Sequence, residues 1–293
     1  MSVSNAQYAA LLQRINELEN DNRFRSHVAA LRQEIADMNK DFYYEVSAGR
    51  IPGMTSGFIV GRNPDVNATT TETMWDFGGK YTYLTANTQL YASSSSASDT
   101  AVTLLLSGLD DSYNSISLTV TLNGQSQVAL SAATAFRIFT VVVTGSTSPL
   151  GGVYIAETDT LTAGVPNTAS KVKAKIALST DKDNVVIDGG TDFASSNITH
   201  LGLYTVPAGK RMTLTKIVAG AGKNDDIKLD GKIRLLGGVW LDRNPVSLYQ
   251  TNQVLPFEPP LVLAEKTDIE FTAIAGSVNS LAQVQALFIL EDI

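Results

Sequence analysis

A chain of 293 residues, 44% hydrophobic and only 17% charged, can bury cores for two ordinary domains and an appendage. Its formal net charge of −7, with no run of like charges, argues against a nucleic-acid surface, which needs clustered Lys and Arg. Cysteine is absent, which removes disulfides and thiolate metal sites, and no apolar run approaches the roughly 20 residues that span a bilayer.

The N-terminus lacks the basic, apolar and small-residue succession of a secretory signal, so synthesis in the cytoplasm is expected. From Asn5 to Asp41 there is neither Gly nor Pro, and apolar residues recur at three and four. Leu11, Ile15 and Leu18 form one seam; Val28, Leu31, Ile35, Met38 and Phe42 form a second, one residue out of phase. The jump falls at Asn20-Asp21-Asn22, so the helix carries a stammer there or breaks in two. Extending the first seam puts Asn22 at a core position, where a buried amide fixes register between chains. Residues 1–45 are therefore expected to form a helical coiled-coil segment for oligomerisation or attachment. Seams this short are marginal alone, so the rest of the chain must contribute to association.

Residues 46–91 change character. Gly49, Pro52, Gly53, Gly57, Gly61, Pro64, Gly78 and Gly79 punctuate them, and Phe58, Trp75, Phe77, Tyr81 and Tyr83 are scattered between. An irregular connector that packs down is expected, since flexible linkers lack aromatics. Over residues 92–183, strand patterns at Ala101–Leu106, Ile116–Leu122, Gln127–Leu130, Phe136–Thr144, Gly152–Ala156 and Val172–Leu178 suggest a β-sandwich. A two-residue turn at Asn123-Gly124 would turn the flanking apolar residues to opposite faces. A longer one sets Val120 against Val128 and Leu118 against Leu130.

After Asp181 the pattern restarts. Residues 184–293 show seven or more strands, from Leu201–Val206 through Met212–Ala219 and Ile227–Leu236 to Ala282–Leu290, as in a jelly roll. Pro207 and Pro259-Pro260 are expected between strands. The last strand is apolar on both faces at Leu287-Phe288-Ile289-Leu290, so it is central or covered by a neighbour.

Chemistry is sparse. The only two histidines, His27 and His200, have nothing in sequence to pair them, and no Gly-x-Ser-x-Gly elbow occurs. Gly220-Ala221-Gly222-Lys223 lacks the earlier Gly and the following Ser or Thr of a phosphate loop and lies between strands. Asp181, Asp183 and Asp188, and Asp225, Asp226 and Asp230, offer hard oxygen ligands for calcium without the spacing of a helix–loop–helix site, and solvated turns are the simpler expectation. No enzyme, cofactor or catalytic residue is expected.

Three stretches carry a resemblance. They are Ile51-Pro52-Gly53 with Asn63-Pro64-Asp65-Val66 and Trp75-Asp76-Phe77-Gly78-Gly79; Gly108-Leu109-Asp110 through Val120-Thr121-Leu122-Asn123-Gly124; and Tyr204-Thr205-Val206-Pro207-Ala208-Gly209-Lys210 with Pro260-Leu261-Val262-Leu263 and Glu265-Lys266-Thr267-Asp268-Ile269. Here the chain resembles virion structural proteins of podovirus-like tailed bacteriophages. The resemblance implies a homotrimeric head fibre, knob or decoration protein. Its partners would be copies of itself and the major capsid protein or other virion proteins, without nucleic acid or membrane insertion. The alternative is a tail fibre, adaptor or receptor-binding protein recognising host surface glycans.

Overall fold

The computed structural model describes residues 9–10, 12–14, 42–178, 195–222, 226–249, 252–276 and 280–293. The chain divides into two compact units, Met1–Thr55 and Ser56–Ile293. In the first, helix α1 covers Phe42–Ser47. It ends because Gly49 takes φ of +70°, which lets the amides of Ala48 and Arg50 bond the carbonyls of Tyr44 and Glu45 at 2.8 and 3.0 Å. The helix at Phe42–Ser47 runs two residues beyond the expected 1–45 bound. The seam residues Leu11, Ile15, Leu18, Asn22, Val28, Leu31, Ile35 and Met38 lie outside the described residues. Among their neighbours, Ala9, Ala10, Leu12, Gln13 and Arg14 are helical and exposed.

The stretch 46–91 is not irregular throughout. It contains β1 (Met54–Val66), a strand of 13 residues, and the short β2 (Glu72–Thr73). Ile59, Gly61 and Asn63 alternate inward on β1, so its glycines sit within a strand instead of marking turns.

Next come β3 (Tyr91–Ser94), β4 (Thr103–Leu109), β5 (Ser115–Thr121), β6 (Val128–Ala129), β7 (Arg137–Val143), β8 (Val153–Ala156), β9 (Leu161–Thr162), β10 (Val165–Pro166) and β11 (Val172–Ile176). One sheet has the order β11-β8-β3-β6 and a second β5-β4-β7. In β5, Leu118 and Val120 turn inward while Ser117, Thr119 and Thr121 are exposed, which is the period-two pattern of a half-buried strand. Leu104, Leu106, Leu118 and Ile138 of one sheet share a core with Ile155, Val172 and Ile176 of the other. β6 pairs with β3 and β5 with β4, so Val120 and Val128 are not partners along a ladder.

The remaining strands are β12 (Leu203–Thr205), β13 (Lys210–Ala221), β14 (Asp226–Arg234), β15 (Leu241–Tyr249), β16 (Asn252–Leu263), β17 (Asp268–Ala275) and β18 (Ser280–Asp292). They form sheets of order β1-β18-β13-β16 and β12-β17-β14-β15 over a second core that includes Met212, Leu214, Leu229, Phe271, Val284 and Phe288. β18 is central, between β1 and β13, which explains why Phe288 and Ile289 are both buried. Pro256, Pro259 and Pro260 fall inside β16, not between strands. That strand is a sheet edge, where a missing amide donor is tolerated and discourages further pairing.

The two cores are nested. Ile59, Val66 and Met74 belong to the second core; Trp75 through Leu203 supply the first; the chain rejoins the second from Val206 onward. The hand-over occurs within what is in effect a single strand beside β17. Thr73 pairs with Thr272 and Leu203 pairs with Glu270. Between them, Phe271 accepts from the Met74 amide at 2.8 Å and donates to the Gly202 carbonyl at 2.9 Å. The chain leaves the ladder at Met74 and re-enters at Gly202, one step further along. The Gly202 amide donates to the Met74 carbonyl at 2.7 Å, and Trp75 bridges Leu201.

Candidate functional site at the seam between the two cores

Alternation along β17 turns Ile269, Phe271 and Ala273 into the second core and Asp268, Glu270 and Thr272 to the other face, yet all three of these polar residues are buried. Asp268 Oδ1 accepts from Arg137 Nε at 3.0 Å and Thr205 Oγ1 at 2.6 Å. Its Oδ2 accepts from Arg234 Nε and Nη2 at 3.0 and 2.6 Å and from Arg137 Nη2 at 3.4 Å. Arg137 comes from β7 of the inserted core and Arg234 from β14 of the host, so one carboxylate ties four strands together. Two residues on, Glu270 accepts from Thr73 Oγ1 at 2.7 Å and from Tyr83 OH at 3.2 Å.

Aromatic rings enclose these charges. The guanidinium of Arg137 lies 3.9 Å from the Phe136 ring centre, and those of Arg137 and Arg234 each lie 5.0 Å from that of Tyr83. Arg234 also sits 4.5 Å from the Trp240 ring. Such contacts replace part of the hydration that a guanidinium loses on burial.

Burial pushes the Asp268 carboxyl up, but Arg137, Thr205 and Arg234 outweigh it and hold Asp268 below the usual carboxylate range. For Glu270 burial prevails, and its carboxyl is raised despite the bonds from Thr73 and Tyr83 and the charges of Lys232 and Arg234. Burial, reinforced by Glu270 and Asp268, lifts the Tyr83 hydroxyl well above its ordinary value, so it stays a neutral donor.

These opposite shifts give a defined pH dependence. Asp268 contributes stability that is present above the unfolded carboxylate value near 4 and is lost as pH falls through its depressed folded value. Glu270 has the other sign: its ionised form is disfavoured in the fold, so stability rises as pH falls through its raised folded value. Unfolding free energy measured from neutral pH downward therefore passes through a mildly acidic maximum before collapsing. Glu270→Gln removes the rise but keeps the collapse; a rise that survives in this variant would refute the assignment.

A second polar cluster flanks the hand-over. Asp76, 3% exposed, accepts from Arg62 Nε at 2.7 Å and from the His200 amide at 3.2 Å, and its Oδ2 lies 2.9 Å from His200 Nδ1. The sequence offered no partner for His200; the fold supplies one, on the residue after Trp75. This carboxylate orients two side chains and a backbone amide across the seam. Buried Lys173 is likewise satisfied, by Glu157 at 2.9 Å and the carbonyls of Thr82 and Ser170 at 3.0 and 2.7 Å. Asp268, Asp76 and Lys173 therefore have their polar capacity committed to neighbouring segments, an arrangement suited to mechanical joining and poorly suited to proton transfer.

The acidic loops separate. Asp181, Asp183, Asp188 and Asp225 lie outside the described residues; Asp226 is exposed, and buried Asp230 pairs with Lys228 at 3.2 Å. Asp230 Oδ1 and Thr272 Oγ1, on cross-strand neighbours, have no hydrogen-bond partner among the described residues. Among the described residues no group of three metal-binding side chains converges. Arg137, Arg234, Asp268 and Glu270 were not anticipated, because charged residues alternating with apolar ones read as a solvated strand face. Residues of the insertion, Arg137 and Tyr83, reach Asp268 and Glu270 from far along the chain.

The class defined by these observations is a mainly β protein with one core inserted into a strand of another. No protein-family model matches the chain, and no curated protein matches it. Solved structures of infectious bursal disease virus particles show a distant similarity. The Gx strain particle is 12% identical, covering 82% of this chain and 72% of that chain with a TM-score of 0.23. The VP2 subviral particle is 11% identical, covering 83% and 73%, with a TM-score of 0.21. The Gt strain particle is 12% identical over 87% and 83%, with a TM-score of 0.17. At such scores the backbones do not superpose, so neither fold nor function passes from those particles to this chain.

Proposed function

We propose that this chain is a non-enzymatic structural protein of a virus particle, a homotrimeric head fibre or decoration protein joined to copies of itself and to capsid proteins. The observation that carries this reading is the seam, whose buried charges are committed to holding the inserted core on its host. The strand order supports a jelly-roll host core, since the chain crosses repeatedly between two sheets, with β13, β16 and β18 in one and β14, β15 and β17 in the other. The sequence resemblance to tailed-bacteriophage virion proteins supplies the setting. The two out-of-phase seams of residues 1–45 are the trimerisation or attachment element, and the β cores carry much of the association energy.

The glycan-binding reading has less support. The aromatic row Trp75–Tyr81–Tyr83 is packed into the first core, with successive rings edge-on at 77° and 76° and Trp75 only 1% exposed, so its rings are spent on one another.

Light scattering on the full chain, together with antibody labelling of purified particles, tests the proposal. Three copies per assembly and labelled particle surfaces are expected. A monomeric mass at every concentration, or unlabelled particles, would overturn it.

A further inference from the structure

Strand β16 is apolar and uncovered. Among its 12 residues only Asn252, Gln253 and Glu258 are polar, yet only Leu263 is buried. Val254 and Val262 are 62% and 56% exposed on the outer face of the sheet, beside Val218 and Thr213 of β13. The opposite row, Leu255, Phe257 and Leu261, packs on the second core and stays half-exposed. Sheet edges are ordinarily blunted with charge, but here Glu258 is the one charged residue on the strand.

Pro256, Pro259 and Pro260 withhold backbone donors, so a further strand cannot add along this edge. Whatever covers it must pack side chain against side chain. The prolines also stiffen the backbone, and a stiff strand loses little freedom when it docks. From Asn252 to Leu263 the strand runs about 40 Å at roughly 3.3 Å per residue. The belt from the β13 row round the edge to the half-exposed row is about 20 Å wide, given the spacings of strands and packed sheets. It offers about 800 Å² per copy, the share each partner gives to a stable interface of standard size.

Two features single out a second copy as the partner. In a chain of net charge −7, identical molecules approach with least repulsion across a patch that is nearly uncharged. The strand also has two sides to cover. One foreign partner seated on the outer row leaves the other row wet. A closed ring of copies covers both with one kind of contact, the outer row of one copy against the edge and inner row of the next.

We propose that β16 is the contact strand between copies of this chain. The inference rests on the self-association proposed above and names its surface.

Val254→Glu with Val262→Glu, made in the full chain, tests it at two exposed positions. The concentration needed for assembly is expected to rise at least about 100-fold in light scattering, because two unpaired charges would be buried, while circular dichroism stays unchanged. Val239→Glu, exposed on the turn between β14 and β15 and outside the patch, should leave the mass as it was. In the wild type, amide exchange along β16 should slow as the chain is concentrated. An unchanged mass in the β16 variant overturns the contact, as does an equal loss in Val239→Glu or exchange that ignores concentration. Unlabelled particles beside a β16 variant that falls apart refute the virion role alone. A wild type that is monomeric throughout overturns both the contact and the self-association. If the β16 variant of such a monomer also fails to label particles, the strand seats on another virion protein instead.

Discussion

Asp268→Asn is expected to lower the unfolding free energy by roughly 3–5 kcal/mol, the loss typical when one partner of a buried ion cluster is removed. The amide keeps the side chain's shape, but it cannot neutralise two guanidiniums. Arg137, 8% exposed, is then left charged beside Phe136 and Tyr83 without an anion. Chemical denaturation of the purified chain measures the loss. Replacing Asp268 together with its more buried partner, Arg137→Met with Asp268→Leu, is expected to recover part of it, because the buried orphaned charge is gone while Arg234, whose side chain is 27% exposed, still reaches water. A double variant as unstable as the single one would show that the cluster also determines how the inserted core docks.

Gly202→Ala is expected to cost about 1–3 kcal/mol, in the range of overpacked cores. A Cβ there would lie 2.7 Å from the Met74 carbonyl oxygen and 2.9 Å from the Met74 Cβ, and the facing glycine makes relief harder. At Gly61 an added Cβ would meet the Gly202 Cα and the same carbonyl, each at 2.7 Å. The neighbours are backbone atoms in paired strands and cannot swing aside as a flexible side chain does. Gly61→Ala together with Gly202→Ala should exceed the sum of the single losses, since both crowd one carbonyl. Unfolding curves on the four proteins decide it, and a single-site loss under about 0.5 kcal/mol would mean the crossing relaxes freely.

Much of the β architecture was readable from residue alternation, and the reasons for the misses are local. The strand Asp268–Ala275 was legible because Ile269, Phe271 and Ala273 alternate with Asp268, Glu270 and Thr272. β1 was lost because Gly57 and Gly61 read as turns. Gly57 is in fact a strand residue whose added Cβ would meet the Phe288 ring at 2.5 Å, a cross-strand contact that no local pattern reveals. β9 and β10, two residues each, are joined at Ala163-Gly164, both with positive φ, and an Ala at the first turn position hid the signal. At the seam, Asp268 and Glu270 carried the signature of a wet face, and Arg137, which covers Asp268, is a partner 131 positions distant in sequence. Distance along the chain, and not weak chemistry, concealed it.

The interruption between Met74 and Gly202 also has a consequence for how such a chain can change over time. The two ends of the inserted core emerge on neighbouring rungs of one ladder, bonded to each other at 2.7 Å. A folded insert whose termini already meet asks no loop-closure entropy of its host, whatever its length. The site is therefore a graft point: its cargo can lengthen, shrink or be exchanged wholesale, provided the newcomer brings its ends together and covers the charges on β17.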